Sequence, residues 1–285
     1  MNMFLFEVMN GVALGMIYFL MAAGLTIIFG MMNFVNFAHG ALYAVGAYLC
    51  FQVIDWSGNF WLGLIVAPIL VGLLALVLER TLIRHLYSFD HPTQILITMG
   101  VMLVIREVIL LIWGTVPKPV SPPDILTGVM VMGDFVYPYY RMFVIAVTAI
   151  IGLGLWLMLE RTRFGIMIRA GSENSKMVSL LGLNSNLLFS VTFVLGVALA
   201  GLGGALISPI RGADAFMGVE ALGIAFVVVV IGGMGSFPGA LAGALVVGLV
   251  QSLSAGFWPE GTNIMIYAVM AMIILLRPNG LFGRT

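Results

Sequence analysis

The sequence predicts an all-α, polytopic membrane protein with eight to ten transmembrane helices, some of them broken or re-entrant. Of its 285 residues, 62% are hydrophobic and only 8% are charged, whereas soluble domains average about 45–50% and about 25%. The longest polar connections, 114–140 and 160–186, are too short to form a soluble domain. We therefore expect residues 1–285 to form a single transmembrane domain.

Nine apolar runs account for the predicted helices. A helix needs about 20 mostly apolar residues to cross the hydrocarbon core of a bilayer. On that scale the spans lie at 8–29, 33–53, 61–78, 93–113, 141–159, 187–208, 221–233, 239–257 and 262–276. Two regions are irregular, because 33–53 opens with a polar cluster and 221–257 is interrupted by the glycine-rich stretch IGGMGSFPGALAGA. Each of these is predicted to hold a broken or re-entrant helix.

Basic residues concentrate in alternate connections of this topology. One set carries eight of them: Arg80, Arg84, Arg161, Arg163, Arg169, Lys176, Arg277 and Arg284. The opposite set carries Lys118, Arg141 and Arg211. Because connections rich in Lys and Arg stay in the cytoplasm, nine crossings place the N-terminus outside and the C-terminus inside. Twelve basic and twelve acidic residues cancel overall, so no basic field predicts a nucleic-acid partner.

The sequence lacks the motifs of an ATPase, a metalloenzyme or a membrane protease. It contains no G-x-x-x-x-G-K-[ST], no H-E-x-x-H and no Cys/His spacing that suits zinc. The aspartates fall in predicted loops rather than at membrane depth: Asp55, Asp90, Asp124, Asp134 and Asp214. Four charged residues at span ends are interpreted as solvated caps: Glu79, Arg80, Glu160 and Arg161. We therefore predict no catalytic residue, metal ligand or cofactor in this chain, and disfavour a membrane enzyme.

Arg106 and Glu107 are adjacent charges well inside a predicted span. Charges at membrane depth usually face a protein interior or a cavity, yet Arg106 is only seven residues from Trp113 and can extend towards the surface. Two interpretations stay open: a structural pair or interface anchor, and a gate or ligand contact. Because sequence neighbours on a helix point about 100° apart, the two need not pair with each other.

The stretch NFVNFAHG, at the start of the second predicted span, is polar between two apolar runs. In one interpretation it is a turn between the first two spans, with Asn33 and Asn36 capping the second helix. In the other it opens a broken span that faces a pathway. Polar atoms of Asn33, Asn36, His39 and Tyr43 would then line that pathway.

The glycines at the second irregular region are a further candidate gate. Gly232, Gly233 and Gly235 lie where the apolar run 221–257 is interrupted. Unwound backbone at membrane depth is tolerated only where it is buried in protein or lines a cavity. These glycines are therefore candidate pathway residues, with ordinary close packing of helices as the alternative.

The connection 160–186 is long, basic and amphipathic. Apolar residues recur in it at near-helical spacing, which predicts a helix with one face towards the membrane domain and one towards water. We expect a short helix that begins near Glu173, is capped by residues 172–175, and ends at Gly182. It is either a surface helix anchored at the inner leaflet or a lever that contacts a partner.

This connection carries a family resemblance. RTRFGIMIRAGSENSKMVSLLGLN resembles the cytoplasmic signature of the branched-chain amino acid ABC transporter permeases, and Ala170, Gly171 and Gly182 match its small and glycine positions. Four other stretches resemble the family in order: GLTIIFGMMNFVNFAHGALYAVGAYL, LLFSVTFVLGVALAGLGGALISPI, AFVVVVIGGMGSFPGALAGALVVGL and RPNGLFG. The length is similar to that of the LivH-type permease rather than its larger LivM-type partner.

The resemblance implies a subunit that translocates branched-chain amino acids (Leu, Ile, Val) across the bacterial cytoplasmic membrane by alternating access. It implies a second permease subunit, two ATP-binding cassette subunits that bind ATP and Mg, and an external amino-acid-binding protein. The residues expected to couple to the ATPase are Arg169, Ala170, Gly171, Glu173 and Gly182. Related permeases carry urea or short amides, which is the alternative substrate class. A stand-alone secondary transporter is the less favoured alternative.

Two predicted external segments have two interpretations each. Residues 114–140 are rich in proline and end in an aromatic group, which is typical of an ordered cap anchored at the interface or of a docking surface. Residues 211–223 carry Arg211, Asp214 and Glu220. Those charges either are simply solvated or receive the external binding protein.

Overall fold

A computed structural model describes residues 2–133, 135–180, 182 and 184–283. Helices form most of it: α1 (Asn2–Met32), α2 (Ala38–Ser57), α3 (Phe60–Leu78), α4 (Arg84–Leu86), α5 (His91–Trp113), α6 (Tyr139–Arg161), α7 (Arg163–Leu180), α8 (Ser185–Arg211), α9 (Met217–Gly232), α10 (Phe237–Phe257) and α11 (Thr262–Leu276). A π-helical turn, Glu79–Ile83, joins α3 to α4, and single 3-10 turns lie at Asp124–Leu126 and Pro259–Gly261. Strands β1 (Val129–Met132) and β2 (Phe135–Pro138) pair as an antiparallel hairpin.

The predicted all-α, polytopic membrane class is confirmed. Within the described residues, seven helical segments are long and apolar enough to cross a membrane: Met3–Met32, Phe60–Leu86, His91–Trp113, Tyr139–Arg161, Ser185–Arg211, Phe237–Phe257 and Pro259–Leu276. Helix α2 has 20 residues, and α9 has 16, or about 24 Å at the helical rise. Each of the nine predicted spans therefore overlaps a different helix.

The helices of the bundle run between two ends, which we call the hairpin end and the α7 end. At the hairpin end, the Tyr137 hydroxyl of β2 donates to the Met9 carbonyl of α1, 2.9 Å away, and Lys118 pairs with Ala213 through backbone hydrogen bonds. At the α7 end, Ile168 of α7 packs against Met31 and Leu188. Helix α1 therefore runs from the hairpin end to the α7 end.

The core lies where α1, α2, α8 and α9 meet, and small residues allow these helices to touch. A Cβ atom on Gly24 of α1 would collide with the carbonyl oxygen of Gly196 in α8. A Cβ atom on Gly46 of α2 would likewise collide with the Gly201 carbonyl. Such contact between backbones gives the packing that drives helix association in lipid.

Two predicted boundaries are wrong. The second span was placed from 33, but α2 begins at Ala38; residue Asn33 instead adopts a left-handed φ of 49°, which ends a helix and which asparagine tolerates. The helix of the 160–186 connection was expected to begin near Glu173, but α7 begins at Arg163 and is interrupted at Asn174 (φ −156°, ψ 90°). It begins earlier because Ile168 is already buried against α1 and α8.

Candidate functional site

The chain between α1 and α2, residues 33–37, is held in place by the first turns of α5. The Phe37 N–H donates to Thr98 Oγ1 at 3.1 Å, and the Val35 N–H lies 3.5 Å from Gln94 Oε1. Asn33 Nδ2 lies 3.4 Å from His91 Nε2. We call residues 33–37 the α1–α2 break. Two of its backbone amides, those of Val35 and Phe37, thus have their partners on α5.

Gln94 is the central residue of this arrangement. It is 3% exposed, and its amide nitrogen donates to the Leu86 and Phe89 carbonyl oxygens at 3.2 and 3.0 Å. It therefore joins the α1–α2 break to the connection that precedes α5. The sequence analysis missed it, although His91, Gln94 and Thr98 recur at the spacing of one helix face.

Several polar atoms beside the break are buried without a partner. Asn36 and His39 are both 0% exposed. His39 Nε2 lies 3.1 Å from the Met21 carbonyl oxygen, but both amide atoms of Asn36, His39 Nδ1 and Thr26 Oγ1 lack a hydrogen bond within the described part of the chain. Each such group costs about 1–3 kcal/mol. Buried unsatisfied groups are rare and call for an explanation.

A cavity of about 770 Å³ opens at the α7 end. Its lining comes from the last turn of α1, the end of α6, α7, the α9–α10 turn and the C-terminal segment 278–283. It brings together three residues that the sequence analysis assigned to two different roles: Asn33 and Gly235 to the pathway, and Arg169 to coupling. Asn36, His39, Tyr43, Gly232 and Gly233 are not among its lining residues and are buried in the helix packing.

The glycine-rich interruption is a turn between α9 and α10 at the α7 end. Gly233 and Gly235 have φ values of 101° and 79°, which strain any residue with a Cβ atom. The C-terminal segment closes this turn, because the Leu281 N–H donates to the Ile231 carbonyl at 2.8 Å and the Phe282 N–H to the Gly232 carbonyl at 3.0 Å. Carbonyls that the end of α9 leaves free are thereby satisfied.

The predicted coupling residues divide between two faces of α7. Gly171 is buried, and a Cβ atom there would lie 3.1 Å from Met31 Cε. Ala170 and Glu173 are exposed on the opposite side. Arg169 is half-buried, donates to the Leu159 carbonyl and lies 3.6 Å from Glu160 Oε2. Gly182, beyond the end of α7, has a φ of 84°.

Glu79 is a buried charge, so its interpretation as a solvated cap is wrong. Its side chain is 0% exposed and accepts hydrogen bonds from Arg84 (Nε 3.2 Å, Nη2 3.1 Å), Ser190 (2.8 Å) and Tyr87 (3.2 Å). The π-helical turn brings Arg84 back over Glu79, five residues earlier. Burial, and then the Glu79 charge, raise the pKa of Tyr87 well above its ordinary value. This Glu79 network joins the end of α3 to the start of α8.

A second cavity, of about 630 Å³, opens at the hairpin end. Arg211 and Glu220 form a two-pronged ion pair there, with N···O distances of 3.0 and 2.9 Å. The Arg106 guanidinium lies 5.4 Å from the centre of the Phe216 ring. Arg106 also pairs with Glu107 at 2.7 Å, which corrects the view that these neighbours need not pair: long side chains span the angle between them.

Titratable side chains do not gather in a way that suits metal binding in the described part of the chain. No group of three or more His, Cys, Asp or Glu residues there is placed to hold a metal ion. The described chemistry is instead that of polar groups within apolar packing.

Comparison with known proteins gives consistent matches along the chain. A family model described as "Branched-chain amino acid transport system / permease component" matches residues 8–276. The permease protein BraD of Pseudomonas aeruginosa is 30% identical over 99% of this chain and 96% of its own. LivH of Escherichia coli K12 is also 30% identical, with the same coverage. LivM of that strain is 25% identical over 95% of this chain but only 69% of its own length.

Proposed function

The chain belongs to the branched-chain amino acid transport permease family, as a permease of the LivH type, and we propose that it moves leucine, isoleucine and valine in an ATP-driven importer. It is a multi-pass membrane protein. The relatives that it matches over nearly their whole length are named as high-affinity branched-chain amino acid permeases. The substrate assignment rests on that similarity and on the apolar character of the bundle.

The proposed assembly contains a second permease subunit, two ATP-binding cassette subunits and an external amino-acid-binding protein. Helix α7 supports this assembly, because one face packs on the bundle through Ile168 and Gly171 while Ala170 and Glu173 are exposed. An exposed face on a docked helix suits contact with another subunit. ATP and Mg would be bound by the cassette subunits.

The proposed orientation in the bacterial cytoplasmic membrane has the α7 end inside and the N-terminus outside. Six described arginines support it, since they all lie towards the α7 end: Arg80, Arg84, Arg161, Arg163, Arg169 and Arg277. Basic connections remain cytoplasmic. The hairpin end would then face the binding protein.

One observation carries the proposed mechanism: α7 packs directly on the end of α1, next to the α1–α2 break. Met31 contacts Ile168 and Leu188, and its sulfur accepts a hydrogen bond from Thr192 Oγ1 at 3.0 Å. Met31 is two residues before Asn33. A displacement of α7 by the cassette subunits would therefore reach the break. A step driven in this way requires different contacts in the two states.

The unpartnered polar groups supply such a difference. We place Asn33, Asn36, His39 and Tyr43, with Gly232, Gly233 and Gly235, along the translocation pathway. In the described state Asn36 and His39 are closed off inside the packing. When the break opens, their free amide and imidazole atoms gain water or substrate as partners. The pathway is then occluded in one state and lined by dipoles in the other, which allows weak binding and release.

Reconstitution tests this function. The permease is placed in liposomes with its companion subunits and a binding protein, and uptake of leucine, isoleucine, valine, urea and acetamide is measured with and without ATP. We expect ATP-dependent uptake of the three amino acids only. Uptake of urea or acetamide would assign the alternative substrate class. Uptake by this chain alone, without ATP, would show a secondary transporter instead.

A further inference from the structure

The cavity at the hairpin end has a composition that the proposed pathway does not use. Its lining combines two arginines and two acids with an apolar wall: Arg106, Pro117, Arg211, Gly212, Asp214, Phe216, Met217, Val219 and Glu220. The volume, about 630 Å³, is within the ordinary range of small-molecule sites. Phe216 and Val219 are 53% and 46% exposed, so the apolar wall is open to a ligand.

The central ion pair of this cavity can be exchanged. Arg211 and Glu220 are each 49% exposed and contact each other through two hydrogen bonds. A pair of this exposure contributes little to stability. The Asp214 carboxylate is not part of this ion pair, since its Oδ1 accepts a hydrogen bond from the Phe216 N–H at 2.8 Å. Arg211 and Glu220 are thus the two groups free to change partners.

The helices that carry this pair pack on a helix that carries a proposed pathway residue. Arg211 ends α8 and Glu220 lies in α9. Both helices touch α2, since Cβ atoms on Gly46 and Gly40 of α2 would collide with the carbonyl oxygens of Gly201 in α8 and Gly218 in α9. Tyr43 of α2 is one of the residues that we place on the translocation pathway. We therefore place the cavity at the hairpin end of that pathway.

We propose that the cavity is an acceptor subsite for the zwitterion of an α-amino acid. Arg211 binds the carboxylate, Glu220 binds the ammonium group, and Phe216 with Val219 contacts an aliphatic side chain. This subsite rests on the proposed function, and it specifies which groups would recognise the transported amino acid. Opening the ion pair around a zwitterion keeps each charge opposite a partner, with no change of net charge. A ligand with only one charge leaves either Arg211 or Glu220 without a partner.

Ligands that lack one charge test the subsite. Binding of leucine, leucinamide and 4-methyl-2-oxopentanoate is measured on the complete transporter in nanodiscs, without binding protein, so that the selectivity belongs to the membrane subunits. Leucinamide lacks the carboxylate and the oxo acid lacks the ammonium group. We expect leucine to bind about tenfold or more tightly than either analogue, since each loses a charge-assisted contact.

Two substitutions should each remove a different preference. Glu220→Gln should remove the preference for leucine over the oxo acid, and Arg211→Gln the preference for leucine over leucinamide. A purely structural ion pair would change neither ratio. Glu260→Gln is the matched control, because Glu260 is an exposed acid that is absent from the cavity lining; its ratios should equal those of the wild type.

Three results would overturn the subsite. They are no leucine binding by the wild-type complex, equal binding of leucine and both analogues, or unchanged ratios in both variants. The two variants could instead lower uptake only when the binding protein is present, while the preference for leucine over each analogue stays unchanged. That result would show that Arg211 and Glu220 contact the binding protein. If leucine uptake is ATP-dependent in the wild type while the ratios do not move, the proposed function stands and the subsite fails.

Discussion

The two ends of the bundle hold their charges in opposite ways. At the α7 end, the Glu79 carboxylate is 0% exposed and is surrounded by Arg84, Ser190 and Tyr87. At the hairpin end, Arg211 and Glu220 are half exposed and pair with each other. A buried charge with several donors is costly to disturb, whereas an exposed pair is easily exchanged. The difference indicates that the Glu79 network holds α3 and α8 together at the α7 end, whereas the Arg211–Glu220 pair at the hairpin end can change partners.

The largest effect is expected when the Glu79 network is disrupted. Arg84→Ala leaves the fully buried Glu79 carboxylate without its opposite charge and should lower the free energy of unfolding by about 3–5 kcal/mol. The change is read as the thermal unfolding midpoint and the amount of protein in the membrane. The double variant Arg211→Met with Glu220→Met should stay within about 1 kcal/mol of the wild type. Equal losses in both variants would abolish the contrast between the two ends.

The second effect concerns helix α7 itself, which the proposed mechanism displaces. A Cβ atom at position 171 already lies 3.1 Å from Met31 Cε and 3.4 Å from Leu188 Cδ2, so the longer side chain of Gly171→Leu should push α7 away from α1 and ATP-driven leucine uptake should fall to background. The protein should remain in the membrane. Gly154→Leu is the control, because nothing lies within 4 Å of a Cβ atom there. Normal uptake in Gly171→Leu would separate α7 from coupling.

Gly182 gives a companion test of α7 outside the packed interface. Its φ of 84° is unfavourable for a bulky residue, by about 1–2 kcal/mol. Gly182→Val should therefore abolish uptake by misplacing the end of α7, while membrane abundance is retained. Uptake assays and quantitative blots of the same membranes measure the two quantities. Unchanged uptake would show that the position after α7 does not matter for coupling.

A smaller effect on stability is expected at the α1–α2 break. Asn36→Ala removes an amide that makes no hydrogen bond in the described state; the gain from removing the unpaired atoms is offset by the cavity that the truncation leaves, so stability should change by about 1 kcal/mol or less. Uptake should fall several-fold, and the same holds for His39→Ala. Gln94→Ala is the contrasting variant, because it frees two carbonyls and should lower abundance and uptake together. Parallel losses in all three variants would make the cluster structural.

The smallest effect lies at the hairpin. Tyr137→Phe removes one hydrogen bond to Met9 and should cost about 1 kcal/mol, with uptake unchanged. Burial raises the pKa of Tyr137 to about 12, above its ordinary value of about 10. The neutral hydroxyl is therefore favoured by folding, and this stability is lost as pH rises from about 10 to about 12. Unfolding midpoints of Tyr137→Phe should lack that part of the pH dependence.

The sequence was sufficient for features that depend on local pattern and length. Nine apolar runs predicted nine helices, and the asparagines and glycines marked the two places where helices stop. The family resemblance in the 160–186 connection predicted the permease family that the comparisons show. These predictions succeed because bilayer thickness constrains apolar runs directly.

Contacts between distant segments could not be predicted in this way. Gln94 serves the α1–α2 break from 59 residues further along the chain, and Ser190 reaches Glu79 across 111 residues. Glu79 resembles any acid at the end of a span, and only its packing shows that it is buried. The correct prediction that Asn33 and Asn36 mark a special segment therefore did not identify the α5 residues that hold it.

The closure of the α9–α10 turn has a consequence for biosynthesis. The partners of the α1–α2 break, between His91 and Thr98, follow it by about one hairpin of helices, so that turn can be completed early as the chain emerges from the ribosome. The Ile231 and Gly232 carbonyls must wait for Leu281 and Phe282. The α9–α10 turn is therefore closed only after α10 and α11 have been synthesised, although it precedes both helices in the chain.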